Sequence, residues 1–574
     1  MSVARWVGRL LVVASLLPVR AAEPTPQNPP EAPKIKSATE LVMVPVIVHK
    51  SGAHLAGLKR ENFELLEDGK PVPIAIFDEV HAAPTTDVVR PSEGEFTNTR
   101  YGKDAQRLTV IAVDLVNTAP LDQLYLKQEV IKFLEDAPET DERYALVAMT
   151  THGILVLRDF TSDPKMIVAA LKKKDIQPNG REAPGSTGQA VFDQTPCAAG
   201  AGNCGSHSAN DAGWKELQLW VTLYQVQESL DVFRDWTQRL DTLSSLQQIA
   251  QWLSGVPGRK TLVWAGSGVQ LYGGLTRVMA GHGPRRDYST TDYSNAAQAM
   301  HENAYTFNML SRANVAVYPL DARHGANTSF AVFDSSRTDA PIGQGAFSGQ
   351  KGVVQNQDQE IIAMFQQIAA STGGKACFNR TDLSNCLKEF ATDSRDYYML
   401  GFYADNKTKP GWHALSVKLD QKAEVRHRKG FDFATTAKAQ AQYSDFQLAL
   451  SSPLPYTDVQ INGRFTSVEG TVGKRRAQFE LDLPPQTISL GEQENALKLE
   501  ITAMARGIDG KEVANLSQRI DRKLEPQQVA LIRSEGIHYT NRLEMPAGSY
   551  GVWFAVRDGN SGHTGSVITK LTVQ

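Results

Sequence analysis

RLTVIAVD (Arg107–Asp114) runs directly into LVNTAPLDQLYLKQEVIKFLED (Leu115–Asp136). The first segment is apolar without alternation, the pattern of a strand covered on both faces. The second places Leu124, Val130, Ile131 and Leu134 at helical spacing. A strand buried on both sides and followed by an amphipathic helix is the repeating unit of an α/β sheet.

The same grammar continues downstream. YALVAMTT (144–151) and ILVLRDF (154–160) form two strands linked at His152-Gly153, and Ser162 or Asp163 caps a helix that has Pro164 in its first turn. A Gly/Ala/Ser-rich insertion extends to Gly213, and a helical stretch follows from Trp214 to Leu253. KTLVWAG (260–266), a helix around Asn295–Arg312, NVAVYPLD (314–321) and a helix from Glu360 to Ser371 complete the alternation. The expected fold class is therefore a multidomain α/β plus all-β chain. Its centre is a doubly wound, mostly parallel, Rossmann-like sheet over 107–390, with ligands bound beyond the carboxyl ends of the strands after Asp114, Gly266 or Asp321.

On either side the pattern changes. LVMVPVIVH, NFELLEDGK and PVPIAIF, broken by Ser51-Gly52 and Asp68-Gly69, predict three short strands within 41–82. Three strands rarely stand alone. A matching set returns over 396–432 (DYYMLGFYA, WHALSVKLD, AEVRHRKG), so the two flanks are expected to pair across the inserted domain. Residues 443–574 alternate apolar and polar between turns, as in RRAQFELDL and ALKLEITAMA, which predicts a C-terminal β-sandwich.

The 574 residues suit several domains, and the composition is that of ordinary globular protein, 41% hydrophobic and 21% charged. With 60 basic against 63 acidic side chains, the net charge of -3 gives no reason to expect nucleic acid as a partner. Arg5 and Arg9 before the apolar run Leu10–Val19, with Ala21 and Ala22 after it, predict a signal peptide over 1–22. Residues 23–40, rich in proline, form a spacer. The expected location is outside the cytoplasm, periplasmic or extracellular, with no transmembrane segment in the mature chain. Four cysteines in two close pairs suit an oxidising compartment. Joining Cys197 to Cys204 and Cys377 to Cys386 is the simplest of the three pairings, and free thiols are the alternative. Neither pair has the spacing of a zinc knuckle.

VIAVDLVNTAPLD (110–122), an apolar strand ending in aspartate with a hydroxyl residue just beyond and a helix next, resembles the opening of von Willebrand factor A-type domains. The chain is most similar to the variant common in exported acidobacterial proteins. That variant carries a leading β segment like VPVIVHKSGAHLAGLKRENFELLEDGKPVPIAIF (44–77), then PGRKTLVW (257–264), YYMLGFY (397–403) and VRHRKGF (425–431), in this order. The resemblance covers about residues 41 to 432 and implies a protein-binding domain that engages its partner through loops above the sheet.

Many such domains hold magnesium on a D-x-S-x-S loop, helped by a threonine and an aspartate from two further loops. Here Asp114 and Thr118 keep the first and last positions, but Val116 stands where the first serine belongs. Ala265, Gly266 and Ser267 replace the Thr-Asp-Gly of the central loop, and Thr242, the only plausible second-loop threonine, lies within a helical stretch. The resemblance thus implies a degenerate metal site in which Asp114 and Thr118 are the remaining magnesium ligands and Asn117 or Asp122 the substitutes. No cofactor is expected, and the bland role of Asp114 is to cap the next helix or bind loop amides. Asp114, Asn117, Thr118, Ser267 and Asp321 are the candidate ligand-binding residues of the top face, with Tyr272, Tyr288, Tyr293, Phe330 and Phe333 as possible anchors in the insertions at 174–213, 270–294 and 323–356.

Enzymatic readings fare worse. GVPGRKT (255–261) lacks the second glycine of a phosphate loop and opens a strand instead of a helix. Ser267 lies between Gly266 and Gly268, but a nucleophile elbow needs glycine two residues away on each side, where Ala265 and Val269 stand. Asp321 and His324 would have to serve as its orienter and base. The expected function is non-enzymatic protein binding. The alternatives are a structural spacer of an envelope assembly and a serine hydrolase acting through Ser267.

Overall fold

The computed structural model describes residues 40–81, 91–92, 94–99, 107–136, 142–173, 236–269, 290–323, 346–393, 395–404, 409, 411–433, 446–471, 474–491 and 495–573. The predicted signal peptide, the predicted spacer except Glu40, and the Cys197/Cys204 pair lie outside them.

The leading strands are β1 (Glu40–Lys50), β2 (Ala53–His54), β3 (Phe63–Glu67), β4 (Lys70–Pro71), β5 (Ile76–His81) and β6 (Glu95–Thr97). Then come β7 (Leu108–Asp114), α1 (Pro120–Asp136), β8 (Arg143–Thr150), β9 (Gly153–Thr161), α2 (Pro164–Lys173), α3 (236–254), β10 (Lys260–Gly266), α4 (Thr290–Arg312), β11 (Val315–Asp321), α5 (Ala346–Thr372) and α6 (Leu383–Thr392). The chain closes with β12 (Asp396–Ala404), β13 (Gly411–Leu419), β14 (Glu424–His427), β15 (Gly430–Phe433), β16 (Asn462–Thr471), β17 (Lys474–Leu483), β18 (Ala496–Arg506), β19 (Glu512–Lys523), α7 (Pro526–Glu535), β20 (Ile537–Met545), β21 (Gly548–Asp558) and β22 (Thr564–Val573).

The first sandwich is made by both ends of one long excursion. In one sheet the order is β14-β1-β12-β5, and in the other β15-β13-β3-β4. β1 lies antiparallel to β12, with Val44 opposite Leu400, so residues more than 350 positions apart share a ladder. Alternation does the rest: Val42, Val44, Val46 and Val48 point inward with Tyr398, Leu400 and Phe402, against Phe63, Leu65, Leu415 and Val417 of the facing sheet.

Between these halves lies a mixed sheet ordered β11-β10-β7-β8-β9. β10 runs parallel to β7 and β11, and β7 to β8, while β9 folds back antiparallel on β8 through the turn at Thr151-His152. Residues 108–114, 260–266 and 315–321 are buried throughout, as continuous apolar runs demand. Val110, Ala112, Leu262 and Trp264 pack against α3, α4 and α5, whereas Ile111, Val113, Val263 and Ala265 pack against α1, α2 and α6.

The second sandwich has sheets β20-β17-β16-β6 and β19-β18-β21-β22. Its core joins Phe479, Leu481 and Leu543 to Ile501, Phe554 and Val556. β6 comes from the polar stretch before the mixed sheet, where no strand was expected. It pairs with β16, stacks Phe96 on Phe554 with ring centroids 4.8 Å apart, and is followed by buried Asn98, which donates to Tyr456 O and Val459 O and accepts from Ile461 N.

The expected fold class is corrected by this topology. Among the described residues four of the five sheets are antiparallel, the fifth is mixed, with β9 antiparallel on its edge, and no clear doubly wound Rossmann-like core organises the molecule. The strand–helix alternation that suggested such a core spans only five of the twenty-two strands among the described residues, and one of its links is a hairpin. The described residues form a β-sandwich-rich fold, 46% of them strand and 29% helix.

Candidate functional site

The candidate residues converge at the carboxyl ends of β7 and β10. Asp114, the last residue of β7, is fully buried, and both its oxygens are engaged. Oδ1 accepts from the backbone N–H groups of Val116 and Asn117, each at 3.0 Å, while Oδ2 accepts from Asn117 Nδ2 at 2.7 Å and Trp264 Nε1 at 3.1 Å. Burial pushes the Asp114 carboxyl above its ordinary range, against the opposing pull of these four donors.

Thr118 faces β10. Its Oγ1 accepts from Ser267 N at 3.0 Å, and its carbonyl from Gln123 Nε2 at 2.7 Å. Gly266 makes this contact possible: a Cβ there would lie 2.6 Å from Thr118 Oγ1 and 2.7 Å from Asp114 Cβ. Position 266 is therefore one into which the Asp114 loop itself is packed. Ser267 Oγ donates to Asp122 Oδ2 at 3.3 Å, which brings the first turn of α1 into the cluster.

Thr242 sits inside α3, as its apolar neighbours predict, yet it reaches the site. Its hydroxyl donates back to Gln238 O at 2.8 Å and accepts from Asn117 Nδ2 at 2.9 Å, so Asn117 bridges Asp114 to the helix. Asp321 ends β11 beside the cluster, where Ala322 N donates to Gly266 O. Its carboxylate is held by its own neighbour: Arg323 Nε donates to Oδ1 at 2.9 Å and Nη2 to Oδ2 at 2.7 Å. The loop aromatics Tyr272, Tyr288, Tyr293, Phe330 and Phe333, and His324, fall outside the residues whose side chains are described.

Sequence reasoning missed Trp264. The signal was present: an indole inside an otherwise aliphatic buried strand must find an acceptor for its N–H, and Asp114, two residues beyond its register partner Ala112, is the one acid on the adjacent strand. It also missed Glu142, buried at the opposite end of the sheet, which accepts from Thr109 Oγ1 at 2.6 Å and Tyr144 OH at 3.2 Å, and whose carboxyl burial pushes up.

Chemically, the arrangement is a closed polar knot. Among the described residues no histidine hydrogen-bonds Ser267, and the polar atoms that a cation at Asp114 would have to recruit are spent on each other. At the same end of β11, where Asp321 N donates to Cys377 O, Cys377 and Cys386 are joined in a disulfide that ties the segment beside β11 to α6. No helix among the described residues is long and apolar enough to cross a membrane.

No protein-family model matches the chain, and no curated protein matches it in sequence. Among solved structures it is similar to a glycosyl hydrolase family 2 member from Bacteroides cellulosilyticus DSM 14838, at 9% identity and a TM-score of 0.15. That match covers 33% of this chain and 21% of the hydrolase chain, a likeness too slight to carry an argument about fold or activity.

Proposed function

We propose that this chain is an exported, non-enzymatic protein-binding protein that offers the end of the mixed sheet around Asp114 and Ser267 to a partner protein, without a bound cation. The observation that carries the reading is the saturation of Asp114. An Asn117 amide and a Trp264 indole donate to the carboxylate oxygen that a metal would use, and magnesium needs near-octahedral oxygen donors that this knot does not supply. The resemblance of the sequence to von Willebrand factor A-type proteins supports a binding role, and the signal-like first residues and the Cys377–Cys386 disulfide support export.

The face also carries apolar surface. Leu121 and Leu124, 54% and 59% exposed, lie three residues apart on the first turns of α1, flanking Asp122, which bonds Ser267. A photo-crosslinking residue at position 124 of the full chain, in its native envelope and with a chelator present, is expected to trap one saturable protein adduct. The adduct should be lost on Leu121→Asp and absent when the crosslinker replaces Leu531 on α7. No adduct at 124, or one abolished by the chelator, refutes the reading. Export is checked separately by the mature N-terminus, expected near Ala22 or Glu23 by mass spectrometry.

A further inference from the structure

We propose that Glu67, Asp68 and His413, far from the Asp114 knot, form a binding site for a divalent transition-metal ion of the zinc class. β3 ends at Glu67, and Asp68-Gly69 turns the chain into β4 with φ of 48° and 78°, the left-handed conformation a two-residue hairpin turn requires. β13 pairs with β3, Leu415 opposite Glu67, which carries His413 to the same turn. The ligand atoms of the three residues lie within 4.8 Å of one another, and among the described residues they are the one such group of three histidine, cysteine or acidic side chains.

The imidazole decides what the group can hold. His413 is 8% exposed and stacked on Phe431 at 5.3 Å, so its ring cannot turn freely. Nε2 lies 2.7 Å from the carbonyl of Lys409, which only accepts, so Nε2 carries the hydrogen. In the neutral ring Nδ1 then bears the lone pair. It faces Asp68 Oδ2 at 2.7 Å and Glu67 Oε1 at 3.4 Å, which also only accept. A positive centre is required between them, and either a proton on Nδ1 or a metal ion supplies it.

The surroundings suit the metal. A ligating histidine whose other nitrogen donates to a backbone carbonyl is the usual outer-shell arrangement around zinc. Asp68 is oriented in the same way, since Oδ1 accepts from Ala414 N at 2.8 Å and Oδ2 is left toward the ring. With bonds of about 2.0–2.2 Å, tetrahedral zinc ligands lie roughly 3.3–3.5 Å apart. The Nδ1 to Glu67 separation already matches, and Asp68, whose side chain is half-exposed, has room to open to that distance while water fills the fourth position. One imidazole with two carboxylates favours zinc or a neighbouring first-row ion over magnesium or calcium. The bound ion would clamp the β3–β4 hairpin to β13, the two halves of the sandwich that the inserted mixed sheet separates in sequence.

Titration of the full chain with zinc chloride near neutral pH, by calorimetry and equilibrium dialysis, tests this. One zinc per chain in the micromolar range is expected, weakening on acidification as protons compete for Nδ1. Glu67→Gln should weaken binding by about tenfold or more, and His413→Gln should abolish it. Zinc should raise the melting temperature of the native chain but not of His413→Gln, and melting without zinc shows whether each variant has folded. Absence of micromolar binding overturns the proposal, as does equal binding by native and both variant chains. So does an imidazole NMR signal of His413 that titrates with pH yet does not move with zinc, which would show that a proton alone occupies the gap.

Discussion

Asp114 shows how a buried acid can be spent on structure. Four donors converge on two oxygens, and removing the carboxylate strands Val116 N, Asn117 N and Trp264 Nε1 without an acceptor in a site closed to water. Asp114→Ala is therefore expected to cost on the order of 3–5 kcal/mol, measured by urea unfolding. Calorimetric titration with magnesium and manganese should show no micromolar binding to the native chain. Binding that Asp114→Ala abolishes would restore a metal-dependent mechanism. Lys260 is the second residue with a measurable signature. Its ammonium is fully buried at the start of β10, donates to Val256 O at 2.6 Å, and is pushed down from 10.5 to about 7 by burial, against the opposing charge of Asp458. Because the folded value lies below the ordinary one, the cost of protonating Lys260 in the folded chain is absent above about pH 10.5. It grows as pH falls to about 7 and stays at its full size below that. Stability should thus rise with pH across this window. Lys260→Met should flatten the rise by on the order of 2–4 kcal/mol in unfolding measured across pH, and an unchanged slope would show that Lys260 is charged when folded.

Among the elements, the central pairing is that of β1 with β12 and of β3 with β13. Both ladders join the two halves of the first sandwich across the insertion, and the shared core between the sheets draws on residues of both halves. A chain truncated to begin at Arg107 leaves Tyr398, Leu400, Phe402, Leu415 and Val417 uncovered and the edges of β12 and β13 unpaired. It is expected to aggregate, as light scattering would show, while the full chain stays dispersed. A dispersed, cooperatively folded truncation would mean that β12–β15 close on themselves. β6 makes the same argument in three residues. Phe96 lies between Phe554 and Phe465, and Gly463 beneath it has no room for a side chain, since a Cβ would fall 2.3 Å from the Phe96 ring. Phe96→Ala should destabilise the C-terminal sandwich by about 3–5 kcal/mol, read from the denaturation of Trp553 fluorescence, with the mixed sheet unaffected.

At the scale of the whole molecule, the mixed sheet is inserted between the halves of the first sandwich and is hydrogen-bonded both to that sandwich and to the segment that leads into the second. Arg259 N donates to Tyr397 OH at 3.0 Å, and Thr457 takes its place on α3 through Gln251 O and Gly255 N. What the sequence determined by itself was local. Unbroken apolar runs marked β7, β10 and β11, alternation marked the sandwich strands, and the spacing of Cys377 and Cys386 marked their bond, because these patterns reflect burial by immediate neighbours. The neighbourhood of Asp114, Asn117, Thr118 and Ser267 was legible too, since three of the four lie within five residues at the end of one buried strand. Tertiary structure decided what depends on partners distant in the chain. It made the sheet mixed and the molecule rich in sandwiches, since a hairpin and a crossover can follow equally apolar strands. It recruited β6 from a polar stretch, because one phenylalanine is enough to seat three residues on an open edge. It also turned Trp264 onto Asp114 and set Thr242 against Asn117, since a buried acid is satisfied by whichever donors the packed elements bring within about 3 Å, and spacing along the chain does not encode that distance.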